Sequence, residues 1–66
     1  MSLAKNIRLF RKQKGLTQAE LAKAVGCHKQ YLSELERGKY DNPAIKLVRA
    51  IADALDVKID ELTLDE

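Results

Sequence analysis

Cys27 and His28 are the one adjacent pair in this chain whose side chains could do nucleophilic or metal chemistry. A thiolate activated by an imidazole can attack an electrophile, and the two side chains could supply ligands to zinc. Neither chemistry is completed here. Neighbouring residues at a helix start point apart, and structural zinc wants four ligands where the chain has a single cysteine and a single histidine. Cys27 is therefore expected to be a small apolar residue in a turn. Asp53, Asp56, Asp60, Glu61, Asp65 and Glu66 gather toward the C-terminus and read as a solvated face, not as an acid–base or metal site. There is no Gly-rich phosphate loop and no Ser-centred elbow, so the residues form no catalytic constellation. We expect no enzyme activity, no metal and no cofactor.

Charge is more informative. Residues 1–39 carry nine basic and three acidic side chains, a net +6, and residues 40–66 carry three basic and seven acidic ones, a net −4. Such polarity suits a molecule that turns one face to a polyanion, although a randomly solvated surface would give the same count.

The elements that must position these charges are helical. With 66 residues the chain fills one domain. A domain this small buries a low fraction of its surface, and without a disulfide it relies on apolar packing. No apolar run approaches the roughly 18 residues of a membrane span. Lys5, Arg8, Arg11, Lys12 and Lys14 interrupt the N-terminal stretch, so no signal-peptide core is legible and a cytoplasmic protein is expected.

Leu3, Ile7 and Phe10 repeat at helical spacing and predict a first helix over Ser2–Lys14, with Leu16 closing the stripe and Gly15 ending the helix. Leu9 is out of phase and expected to be exposed. Thr17-Gln18-Ala19-Glu20 is a capping box that opens a second helix, with Leu21, Ala22 and Val25 inward and Gly26 as its stop. A third helix runs from near His28 to near Arg37, with Leu32 and Leu35 inward and Gly38 beyond it. Two short helices joined by a tight turn with Gly make a helix-turn-helix over about residues 17–37. Asn42 as N-cap and Pro43 at the first position open a fourth helix, whose stripe is Ala44, Leu47, Val48, Ile51, Ala52 and Leu55 and whose end is Asp56. Ile59–Leu62 predict a last short turn, and Thr63–Glu66 a loose tail. Tyr31 is expected at the core edge, its hydroxyl offered to solvent or to a phosphate.

Gly15-Leu16-Thr17-Gln18, Leu21-Ala22, Gly26 and Leu32-Ser33-Glu34-Leu35-Glu36-Arg37-Gly38 resemble the signature of the phage repressor/Cro-like (XRE) helix-turn-helix family, and the resemblance extends from Leu3 to Leu62. It implies an all-α, compact five-helix, lambda-repressor-like domain that places its third helix in the DNA major groove. It implies a transcriptional regulator, and a repressor in particular, that reads a near-palindromic operator in double-stranded DNA as a homodimer, without a small-molecule ligand. An antitoxin-type protein-interaction module on the same fold is the alternative, and the absence of a long extension past residue 62 argues against it.

Carried over by position, Gln18 resembles a phosphate-clamping residue, in keeping with the free N–H groups and positive dipole end of a helix start. Lys29, Gln30, Ser33 and Glu34 match base-reading positions. Lys29 suits guanine O6/N7 and Gln30 suits adenine N6/N7. Tyr31, Arg37, Lys39, Tyr40 and Asn42 are placed to grip phosphates. Two residues depart from the pattern. His28 stands where the family usually has a Ser or Thr cap, so it is read as facing a phosphate. Glu34 is acidic in a groove lined by phosphates; it either accepts from cytosine N4, points away, or pairs with a basic neighbour. Arg11 and Glu36 match a partly buried ion pair linking the first and third helices, the alternative being two solvated charges. One recognition helix reads only about four or five base pairs, which implies a twofold dimer, with Tyr40, Ile59, Leu62 and Leu64 as its candidate surface.

Overall fold

A computed structural model describes residues 3–40 and 43–63. They form five helices: α1 (Leu3–Gln13), α2 (Gln18–Val25), α3 (Lys29–Glu36), α4 (Ile45–Leu55) and α5 (Ile59–Thr63). None of them is long and apolar enough to cross a membrane. Ile7, Leu21, Leu32, Leu35, Ile51 and Leu62 are fully buried, so every helix sends at least one side chain into a single core. Helix α2 packs on α3 and α4, while α1 packs on α3, α4 and α5. Leu9 lies outside this core and is half exposed, as its phase requires.

Eight-residue helices are marginal in water, and their ends leave unpaired backbone groups. The sequence supplies partners for them. At the start of α2 the Glu20 N–H donates to Thr17 Oγ1 (3.0 Å) and the Thr17 N–H donates to Glu20 Oε1 (2.8 Å), closing the capping box. Gly26 adopts the left-handed conformation (φ 79°), and its N–H donates to the Ala22 carbonyl. That turn leaves three residues between the end of α2 and the start of α3, with His28 as the N-cap of α3. The His28 side chain makes no capping hydrogen bond.

Four expectations are corrected. Helix α4 begins at Ile45, with Ala44 as its N-cap in an extended conformation, so Pro43 precedes the cap instead of opening the helix. Apolar periodicity marks which face is buried but not where the first turn starts. Ala44 is in fact exposed, and the buried stripe runs over Val48, Ile51, Ala52 and Leu55, with Leu47 partly buried against it. Asn42, the expected cap, lies outside the described residues. Thr63 belongs to α5, where its hydroxyl donates to the Ile59 carbonyl (3.2 Å); residues 64–66 lie outside the described residues. Leu62, expected on a dimer surface, is fully buried.

Sequence reasoning passed over Asn6. Its amide donates to the carbonyls of Leu62 (2.8 Å) and Glu61 (3.3 Å), which satisfies the end of α5 from α1. No local pattern connects residues more than fifty positions apart.

Arg11 and Glu36 are the buried charged residues of the described chain, at 8% and 9% exposure. The Arg11 guanidinium donates from Nε to Glu36 Oε2 (2.7 Å) and from Nη2 to Glu36 Oε1 (3.1 Å), a two-pronged pairing. Its Nη1 donates to the Leu16 carbonyl (2.7 Å) in the loop before α2. One side chain therefore fixes α1, that loop and the end of α3.

Two stability measurements follow. Glu36→Ala strands a buried guanidinium and is expected to cost about 3–5 kcal/mol in denaturant unfolding. Arg11→Met combined with Glu36→Leu removes both charges and should recover most of that loss; a double variant no more stable than the single one would place the cost elsewhere. Asp56 caps α4 with φ 59°, the one non-glycine among the described residues in the left-handed region. Asp56→Gly relieves that strain and is expected to raise stability by about 0.5–1 kcal/mol, with Asp56→Val lowering it.

Candidate nucleic-acid interface

Helix α3 turns Leu32, Leu35 and Glu36 inward and leaves Lys29 and Gln30 exposed on its first turn. Ser33 sits one turn further along the same face, partly exposed, and Arg37 follows as the exposed C-cap. Residues 29, 30, 33 and 37 thus line one outward strip, as a period of 3.6 residues requires. His28 stands exposed at the N-terminal end of that strip. The structure therefore brings four candidate donors (Lys29, Gln30, Ser33 and Arg37) onto one surface.

Gln18 is the first residue of α2 and is half-buried beside this surface. Its Nε2 donates to Glu36 Oε1 (3.1 Å). The buried ion pair consequently orients the Gln18 amide and leaves a second amide proton, together with the N-terminal end of α2, for an outside acceptor. The sequence placed Gln18 at a helix start but gave no sign of this contact.

Glu34 takes up the last of its three expected arrangements. It accepts from Lys39 Nζ (3.2 Å) and from the Tyr40 hydroxyl (2.8 Å). Those hydrogen bonds, Tyr40's first and Lys39's next, hold its carboxyl below the usual carboxylate range. The same bond raises the Tyr40 phenol above its ordinary value, and burial adds to the rise. A phenol has one proton to donate, and Glu34 receives that of Tyr40. The Tyr40 ring instead packs on Tyr31, with centroids 4.9 Å apart and planes at 35°. Tyr31 is half-buried against the core beneath it.

Cys27 is half-buried against the core, and burial pushes its thiol above the ordinary value. A nucleophilic cysteine needs the opposite shift. Its neighbour His28 is exposed. Among the described residues no group of three or more His, Cys, Asp or Glu is placed to hold a metal ion.

Comparison with known proteins matches this arrangement. The chain is 39% identical over 64 residues to the HTH-type transcriptional regulator SinR of Bacillus subtilis, covering 97% of this chain and 57% of SinR. It is 32% identical over 66 residues to the immunity repressor protein of Bacillus phage phi105, covering 100% of this chain and 45% of the repressor. It therefore spans about half the length of these relatives. Among solved structures, the biofilm master regulator SinR in complex with DNA superposes with a TM-score of 0.86 at 37% identity, covering 91% of this chain and 95% of that one. The helix-turn-helix family profile matches residues 7–62, and the chain belongs to that family.

Proposed function

We propose that this chain is a sequence-specific DNA-binding transcriptional regulator, acting as a repressor, that lays α3 in the major groove and binds a near-palindromic operator in double-stranded DNA as a homodimer. The observation that carries this reading is the outward strip of α3, Lys29, Gln30 and Ser33, set on a helix whose far end is fixed to α1 by the buried Arg11–Glu36 pair. In this reading the chain is not an enzyme, needs no cofactor or small-molecule ligand, and works in the cytoplasm.

The roles follow from side-chain chemistry. Lys29 donates to guanine O6 or N7. The Gln30 amide pairs with adenine, its NH2 donating to N7 and its carbonyl accepting from N6. Ser33 is small enough to approach either a base or a phosphate. Gln18, His28 and Arg37 are assigned to phosphates, which position the helix but carry no sequence information, whereas Lys39 is paired with Glu34. Tyr31 supports this edge through its ring. One copy reads too few base pairs for genomic specificity, and a second copy across a twofold axis doubles the site.

Selection of binding sites from random duplex DNA tests the reading, and a short inverted repeat bound with a steep negative salt slope is the expected outcome. Failure to enrich any sequence would count against it. On the selected operator, Lys29→Ala and Gln30→Ala should each cost about 1–3 kcal/mol and relax preference at one position per half-site. Gln18→Ala should weaken binding to all sequences alike. If Lys29→Ala bound the operator as well as the parent chain, the strip would be wrongly assigned.

A further inference from the structure

Glu34 occupies a position on α3 from which a side chain could meet a base, yet its carboxylate is committed within the chain. One oxygen accepts from the Tyr40 hydroxyl at 2.8 Å and the other from Lys39 Nζ at 3.2 Å. Its side chain is only 16% exposed, against 59% for Lys39. The same residue also holds the turn through its backbone, because the Lys39 N–H donates to the Glu34 carbonyl (3.1 Å). The ring of Tyr40 lies on Tyr31, and the Lys39 ammonium stands 5.8 Å from the centre of that ring. Carboxylate, ammonium, phenol and two rings thus form one cluster at the end of α3.

To accept from cytosine N4, Glu34 would have to give up hydrogen bonds from a cation and a phenol in exchange for one from a neutral amine. The bond from Lys39 joins two full opposite charges, which the bond from cytosine N4 would not, and here both donors are already in place. A bare carboxylate would also be repelled by the phosphates that line a groove, whereas one paired with an ammonium contributes little net field.

We propose that Glu34 does not read a base but is a positioning residue, an internal counter-ion that ties Lys39 and Tyr40 to α3 and so limits how strongly the chain grips phosphates of any sequence. The proposal rests on the DNA-binding function argued above. Lys39 is the residue through which Glu34 acts. While the pair is intact, most of the Lys39 charge is balanced inside the protein, and Lys39 displaces few counter-ions from DNA. With the pair removed, the ammonium is left to the phosphates. Each further phosphate neutralised steepens the dependence of log affinity on log salt by about 0.9.

The test uses the full chain, its Glu34→Gln and Lys39→Gln variants and the double variant. Each is first checked for an unchanged thermal melt, then put through site selection and titrated with the selected duplex and an unrelated duplex over a range of salt. Gln at position 34 keeps an oxygen for the Tyr40 hydroxyl and loses the charge that holds Lys39. Glu34→Gln is expected to enrich the parent's motif, to bind both duplexes several-fold more tightly, and to steepen the salt slope by about one. Lys39→Gln alone should change the slope little, and added to Glu34→Gln it should abolish the increment. A merely structural role for Glu34 would not produce that dependence on Lys39. A Glu34→Gln motif altered at one position per half-site would make Glu34 a base reader and overturn the proposal. An unchanged slope in Glu34→Gln, or a full unit lost in Lys39→Gln alone, would overturn it as well. These outcomes are separate from failure of the DNA-binding reading itself, which shows in the parent chain as no binding to either duplex and takes this proposal down with it.

Discussion

A guanidinium and a carboxylate taken out of water must find every partner they had there, and that demand organises this small protein. Arg11 uses Nε and Nη2 on the two oxygens of Glu36 and Nη1 on the Leu16 carbonyl. Glu36 Oε1 takes a further bond from Gln18. The pair costs several kcal/mol to desolvate per ion, so an apolar replacement of similar volume could hold the helices as firmly. What apolar packing lacks is direction. The fork of Arg11 accepts few orientations of Glu36, and it fixes the end of α3 against α1 and the loop before α2 to within hydrogen-bond tolerance.

Such direction matters because the other forces here are diffuse. The core consists of aliphatic side chains from all five helices, and such cores tolerate repacking. Helices α2 and α3 have eight residues each, too short to persist without their caps and neighbours. The capping box and the Gly26 turn define where α2 starts and stops and how soon α3 follows. Asn6 closes α5 from the opposite end of the chain. Local rules thus set the helix ends, the core sets which faces turn inward, and the ion pair sets the angle at which α3 is presented.

The degree to which each feature could be read from sequence follows the same division. The capping box at Thr17, the stop at Gly26 and the inward faces of α1 to α3 depend on residues within a turn or two of each other, and they are written in composition and spacing. Position by position, the family signature placed Arg11 beside Glu36. The start of α4 was misread because Asn42-Pro43 is a strong opening signal and nothing nearby reveals that Ala44 stays extended. Leu62 was misplaced for a different reason: a lone leucine in a short turn has no periodicity to say which side is inward. The hydrogen bonds of Gln18 to Glu36 and of Asn6 to α5 join residues far apart in sequence, so only the folded chain displays them. Glu34 was legible as an acid on the wrong kind of surface, but its partners were not, because they depend on how the chain turns after Gly38.

The two acids of α3 share one physical solution. Glu34 and Glu36 both stand on a helix that also carries the strip offered to a polyanion, where unbalanced carboxylates would oppose the approach. Each is matched by a cation from outside the helix: Glu36 by Arg11 from α1, in the core, and Glu34 by Lys39 from the following turn, at the surface. Cancelled in this way, they leave Lys29 and Arg37 as the cations that α3 and its C-cap turn to solvent. The two pairs differ in depth, and that difference decides their consequences. The buried pair is shielded from salt and fixes structure, whereas the surface pair is screened over about a Debye length and can be exchanged for phosphate contacts. A helix with two acids can therefore present a cationic face, and the exposed pair is the place where the strength of that face is adjusted.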